Sequence, residues 1–216
     1  MKIVLASGNR NKYREMREEF APIGVELLFG GDFPEPLDVE ETGSTYEENS
    51  ALKAHEWAKA TGIPAMADDS GLEASALGGA PGVHSARIVP GSDRDRTEWL
   101  LGELRDRGDR SARFACCITV VFPDTGKTIS CTRYCPGRIA MEPRGTSGFG
   151  YDPVFVPDGY ERTFAELGEI VKKKISHRAL AIKGIAEMLS SVVQYQTVRT
   201  MDNYPSEPQG GDERKV

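Results

Sequence analysis

The chain opens on Lys2-Ile3-Val4-Leu5-Ala6-Ser7, a consecutive apolar run that leads directly into a glycine turn. Continuous rather than alternating hydrophobicity marks a strand covered on both faces, and such strands belong to sheets flanked by helices. Gly8-Asn9-Arg10-Asn11 reads as the turn, and Tyr13, Met16 and Phe20 then share one stripe of a helix. A second strand is expected over 24–29. This start commits the N-terminal part to an α/β design.

The rest of the chain continues the alternation. Thr45-x-x-Glu48, or Ser44-x-x-Glu47, supplies a capping box for a helix that runs to about Thr61, where Gly62 and Pro64 stop it. A strand is expected over 64–68, and the Gly-, Pro- and Ala-rich stretch 78–91 reads as an ordered loop. A helix near 95–107 carries Trp99, Leu100, Leu101 and Leu104. Residues 112–122 and 127–134, joined by Pro123-Asp124-Thr125-Gly126, read as a β-hairpin. A short strand over 154–156 comes before a last helix, capped by Ser176 and running to about Val193. Its core stripe is Leu180, Ile185, Met188, Leu189 and Val192. Periodicity stops after Gln196, so 1–195 is expected to be a single domain and 196–216 a disordered tail.

At 216 residues the chain can bury a sizeable core in one domain, or in two small lobes sharing a sheet. A formal net charge of −6 argues against a general nucleic-acid partner, which would demand a basic face. No apolar run spans a bilayer and the N-terminus has no leader pattern, so the expectation is a cytoplasmic protein with no membrane partner. Cys116, Cys117, Cys131 and Cys135 lack a Cys-x2-Cys pair or a nearby His. They read as reduced core thiols of the hairpin, ahead of zinc ligands.

Chemistry concentrates in a few blocks. Ala67-Asp68-Asp69-Ser70-Gly71-Leu72 places paired carboxylates where a strand is expected to end. Such a pair can seat Mg²⁺ bridging to substrate phosphates, or it can close the strand as an Asx-turn with Gly71 left-handed. Within a strand the two side chains point to opposite faces, so one would anchor and the other project into a cleft. Ser7-Gly8-Asn9-Arg10-Asn11-Lys12 is a phosphate cradle in miniature at a helix N-terminus, although not a Walker A sequence. Glu40 and Glu41 precede a helix on which Asn49 and Lys53 share a face. In Gly148-Phe149-Gly150-Tyr151-Asp152-Pro153, glycines flank a ring against which a flat ligand can slide, or Phe149 or Tyr151 plugs the core. Lys172-Lys173-Lys174-Ile175-Ser176-His177-Arg178 sets a basic run before a helix whose first turn holds His177 and Arg178, which suits a bound anion or electron-rich ligand.

Taken together, these blocks resemble the house-cleaning inosine/xanthosine triphosphate pyrophosphatases of the Ham1 or RdgB type. The match runs from Ser7-Gly8-Asn9 with Lys12, through Glu41-Thr42-Gly43-x-Thr45, Glu48-Asn49 and Lys53-Ala54, to Asp68-Asp69-Ser70-Gly71. It continues through Gly78-Gly79-Ala80-Pro81-Gly82-Val83, Ser85-Ala86-Arg87, Pro136-Gly137-Arg138-Ile139, the Phe149 loop and Ser176-His177-Arg178. His84, Ile88 and Val171 depart from the family pattern. The resemblance implies an elongated mixed sheet flanked by helices, two lobes with a cleft between them, and a homodimer. It also implies Mg²⁺-dependent hydrolysis of ITP, dITP or XTP to a monophosphate and pyrophosphate.

By the same resemblance, Asp69 would be the general base, and Glu40 or Glu41 with Asp69 would hold the metal. Ser7, Gly8, Asn9, Arg10, Asn11, Lys12 and Lys53 would hold the triphosphate. Ser70, Phe149, Gly150, Tyr151, Asp152, Lys172, His177 and Arg178 would contact the substrate. The alternatives are a Maf-like pyrophosphatase of modified pyrimidine nucleotides and a nucleotide-binding sensor without catalysis.

Overall fold

Every residue of the central strand of the sheet has a partner on the long hairpin beside it, and this pairing organises the fold. The structure is a computed structural model that describes residues 1–35 and 37–202, without the side chains of Asn11 and 193–202. In chain order the elements are β1 (Lys2–Leu5), α1 (Arg10–Phe20), β2 (Glu26–Phe29), α2 (Tyr46–Thr61), β3 (Ala65–Ala74) and α3 (Asp93–Glu103). Then come β4 (Ser111–Phe122), β5 (Lys127–Ile139), β6 (Phe155–Pro157), α4 (Phe164–Ile175) and α5 (His177–Asp202). The strands form one sheet in the order β2-β1-β3-β4-β5-β6. β1 is parallel to β2 and β3, and the remaining pairs are antiparallel, so the sheet is mixed.

Two expectations about β3 are corrected. The strand does not end at Asp68 but continues to Ala74, because β4 pairs with it from Ala65↔Val121 through to Ala74↔Ala112. The Asx-turn alternative fails with it, since Gly71 lies inside the strand and is not left-handed. Glycine is required there for closeness: a Cβ would meet the Gly82 carbonyl and come within 2.6 Å of Ser85 Oγ and 2.9 Å of the Tyr46 hydroxyl.

Helices cover both faces, as the run Ile3-Val4-Leu5 requires. On one face α1 and α5 pack Met16, Phe20, Ile182, Ile185 and Leu189 against Ile3, Leu5, Met66, Ile118 and Val120. On the other, α2 packs Ala54, Trp57 and Ala58 against Val4, Ala65, Ala67 and Val121. A second core builds around the far ends of β3, β4 and β5, where Leu72, Phe114 and Ile139 meet Leu100, Leu104, Tyr151, Phe155 and Phe164. A cleft opens beside this second core, along Ser70, Gly71 and Leu72 of β3 and Phe114 of β4.

Capping decides the helix starts. Thr45, rather than Ser44, closes the box of α2 with Glu48. α4 was not expected as a helix, although Thr163 and Glu166 form a capping box at its start. Gly168, at φ +74°, breaks its periodicity. Lys172, Lys173 and Lys174 lie in its last turn, where cations suit the helix dipole. α5 continues to Asp202, and its buried stripe is rotated from the expected one. Ala181, Ile182, Ile185 and Leu189 are buried, Leu180 is half-buried and Met188 faces solvent. Residues 203–216, most of the expected tail, lie outside the described residues.

All four cysteines are buried free thiols. Among the described residues no helix is long and apolar enough to cross a membrane.

Candidate active site

Because β3 runs on past its two aspartates, Asp68 and Asp69 are sent to opposite faces of the sheet. Asp68 points towards α1 and α5. Its carboxylate accepts from Lys12 Nζ at 2.8 and 2.9 Å, and Arg178 Nε stands 3.7 Å away. Arg178 also donates to Ser70 Oγ at 3.3 Å. Burial opposes the charge on Asp68, yet Lys12, Arg178 and Lys53 outweigh it and hold this carboxyl well below the usual range. Burial likewise opposes the charge on Arg178, and Asp68 keeps it protonated. Asp68 is therefore a permanent anion whose task is to hold two cations in place.

Asp69 points towards α2 and is tuned the other way. Burial raises its carboxyl, helped by the nearby charge of Glu41, against the lowering pull of Lys53 and of hydrogen bonds from Asn49 and the Ser70 N–H. Asn49 Nδ2 donates to Asp69 Oδ2 at 3.1 Å, and Asn49 Oδ1 accepts from the Gly43 N–H at 2.7 Å. One buried amide thus joins the strand to the loop that carries Glu41. Lys53 donates to Glu41 Oε1 at 2.5 Å and to the Asp68 carbonyl at 2.7 Å, while Arg87 donates to Glu41 Oε2 at 2.6 Å. Burial raises Glu41, but these two cations bring it below its ordinary value. Glu40 is exposed, on the wall of an outer hollow with Asp38, Glu41 and Arg87.

The loop before α1 folds as a cap. Ser7 Oγ accepts from the Asn9 N–H at 3.1 Å, and Asn9 Oδ1 accepts from the Lys12 N–H at 3.3 Å. Ser7, Gly8 and Lys53 line a hollow of about 180 Å³. Arg10 is not brought to it: its guanidinium pairs with Asp32 at 2.8 Å and lies over the Phe29 ring on the outer side. The Asn11 side chain lies outside the described residues.

At the other end of the cleft, Tyr151 is the core plug and Phe149 the free ring. Tyr151 is buried with its hydroxyl donating to the Ser85 carbonyl at 3.0 Å, whereas Phe149 is 56% exposed. Lys172 Nζ lies 4.1 Å from the Phe149 centroid and the Arg178 guanidinium 5.6 Å. Lys172 is also paired with buried Asp152, whose Oδ2 accepts from the Phe149 N–H at 2.9 Å. His177 stacks on Phe114 at 4.6 Å, and its buried Nδ1 has no hydrogen-bond partner among the described residues. Burial, with the charges of Arg178 and Lys172, holds it neutral at physiological pH. A cavity of about 150 Å³ opens among Ser70, Phe114, Phe149, Lys172, His177 and Arg178. A second, of about 100 Å³, lies across Phe149 towards α1.

A hollow lined by Ser7, Gly8 and Lys53, and an aromatic-walled cavity with polar groups, suit a phosphorylated flat ligand. The comparisons with known proteins agree. The model of the Ham1 family matches residues 3–188.

The chain belongs to the Ham1 family.

A protein named dITP/XTP pyrophosphatase from Thermus thermophilus is 46% identical over 190 residues, covering 87% of this chain and 91% of that one. Another of that name, from Deinococcus radiodurans, is 45% identical over 185 residues, covering 85% and 90%. The structure of a Ham1 protein from Coxiella burnetii superposes with a TM-score of 0.84 at 42% identity, over 88% of this chain and 99% of the other.

The donor set of this Ham1 protein fits a hard divalent cation. Glu41 and Asp69 contribute carboxylate oxygens on one side of the sheet, close enough for the charge of one to raise the other. No group of three or more metal-binding side chains exists among the described residues. A Mg²⁺ ion there would complete its shell with water and phosphate oxygens, as that ion commonly does. Asn49 and Arg87 stand inside blocks that carry the family resemblance, but their roles escaped the sequence reading. The Asn49–Lys53 spacing on one helix face was the available signal for the first. For Arg87 no local signal existed, because its partner is Glu41, distant in the chain.

Proposed function

We infer that this Ham1 protein hydrolyses non-standard purine nucleoside triphosphates, of the dITP and XTP type, to the monophosphate and pyrophosphate. One observation carries the reading. Asp68 ties the cation of the phosphate loop, Lys12, to the cation of the aromatic cavity, Arg178, while its neighbour Asp69 faces Glu41 and Lys53. Phosphate-end and base-end recognition thus meet at one strand beside a basic carboxylate.

In this reading Ser7, Gly8, Asn9, Lys12 and Lys53 bind the triphosphate and balance its charge. Asp69 receives the proton of the attacking water, and Asn49 keeps its carboxylate in orientation. Glu41 and Asp69 would hold Mg²⁺, which when bound neutralises phosphate charge and acidifies a coordinated water. The base stacks on Phe149, as the Lys172–Asp152 pair holds that loop. Neutral His177, or Arg178, donates to the six-position oxygen of hypoxanthine or xanthine. Adenine puts an amino donor there, and the unmatched donors cost about 1–3 kcal/mol for each lost contact. A single domain over 1–195, a homodimer and a cytoplasmic setting complete the proposal. They rest on composition and family resemblance, and sedimentation of the purified protein measures the dimer.

Incubation with ITP, dITP, XTP, ATP and GTP, with and without Mg²⁺, tests the reading through pyrophosphate release. Fast release from the first three with Mg²⁺ is expected. Equal turnover of all five would overturn base selection. Binding without product would make the protein a sensor, and a preference for modified pyrimidine triphosphates would make it Maf-like.

A further inference from the structure

The Phe149 loop is held from two sides, and only one of them lies in the matched blocks. Asp152 and Lys172 hold it from below. From above, α3 grips Gly150 by both of its backbone groups. Asp93 Oδ2 accepts from the Gly150 N–H at 2.7 Å, and buried Thr97 donates to the Gly150 carbonyl at 3.5 Å. Gly150 sits at φ +60°, a conformation open chiefly to glycine, and so permissive a residue is held in one conformation by the contacts made to it. Arg96 braces the grip by donating to Asp93 Oδ1 at 2.6 Å and to the Gly91 carbonyl at 2.9 Å. Asp93, Arg96 and Gly150 all line the aromatic cavity.

Asp93 is not needed to start its own helix. Ser92 and Asp95 already form the capping box, with Ser92 accepting from the Asp95 N–H and Asp95 from the Ser92 N–H. Its carboxylate is free to serve the loop. It also lies outside the lining of the phosphate hollow, which is drawn from α2 and the segments that follow β1 and β2.

We propose that Asp93, backed by Thr97, is a positioning residue for base discrimination: by fixing Gly150 it sets the Phe149 ring, and it contributes nothing to phosphate binding. The proposal rests on the nucleotide pyrophosphatase reading above.

Separate binding of the two product halves tests it. Calorimetric titration of inosine monophosphate, and of pyrophosphate with Mg²⁺, is compared between wild type, Asp93→Ala, Asp93→Asn and Thr97→Val. Loss of a hydrogen bond to a charged group predicts about tenfold weaker monophosphate binding in Asp93→Ala, with pyrophosphate binding unchanged. The preference for ITP over ATP in kcat/KM falls in parallel. Asp93→Asn keeps an acceptor oxygen for Gly150 and restores most of both, and Thr97→Val shows a smaller loss of the same kind. Equal weakening of both product halves, or none, overturns the positioning role. So does an Asn variant as poor as Ala, since the charge on Arg96 would then matter instead of the contact to Gly150. A wild-type protein that releases no pyrophosphate fails earlier and takes the underlying reading with it.

Discussion

Adjacent residues of identical chemistry are predicted to behave oppositely here. Asp68 is depressed by Lys12 and Arg178, so the stability it contributes is present above the unfolded carboxylate value near pH 3.9 and is lost as pH falls below it. Asp68→Asn leaves two cations without their anion and is expected to cost about 3–5 kcal/mol, measured by urea unfolding at neutral pH. Asp69 is raised, so its ionised form opposes folding, and stability falls as pH rises from the unfolded value through the folded one. Asp69→Asn is therefore expected to remove this pH dependence of stability while lowering kcat by a factor on the order of 10²–10⁴. An active Asp69→Asn protein, or one that keeps the wild-type pH slope, would contradict this. The sequence showed the two carboxylates but not which would do which, because that depends on residues up to 110 positions away being folded against opposite faces.

At the level of elements, β3 carries the site because β4 extends it. Gly71 is where the strand, the loop around Gly82–His84 and the Tyr46 ring come closest. Gly71→Ala forces one of them to move, and an overpacking cost of about 1–3 kcal/mol is expected in thermal unfolding. A normal melting temperature would mean that the loop gives way freely. Thr45 offers a milder comparison, since removing its capping hydroxyl with Thr45→Ala should cost about 1 kcal/mol. Elements with an uninterrupted period were legible in the sequence, as α1, α2 and the hairpin show. α4 was hidden by Gly168, which breaks the 3.6-residue rhythm. The end of β3 was misplaced because a strand's length is decided by the partner available to it.

For the molecule as a whole, a ligand that spans the phosphate hollow and the aromatic cavity should bind them together. Inosine triphosphate with Mg²⁺, at a hundred times its dissociation constant, is expected to stabilise the slow Asp69→Asn variant by about 2.7 kcal/mol. Pyrophosphate or inosine monophosphate alone should give only part of the shift in melting temperature. Equal shifts from one half and from the whole would mean that the two ends do not share a ligand. By itself the sequence determined the α/β class, the starts of α2 and α5, the buried thiols and the chemical types gathered in each block. These follow from local periodicity, from backbone groups satisfied within a few residues, and from side-chain chemistry that folding does not change. The tertiary structure alone decided that Arg10 leaves the site while Arg87 and Asn49 enter it, that Tyr151 fills the core and Phe149 stays free, and that Asp68 is a fixed anion beside a basic Asp69. Each of these depends on burial and on charges brought close from distant parts of the chain, and such distances exist only after the sheet has paired.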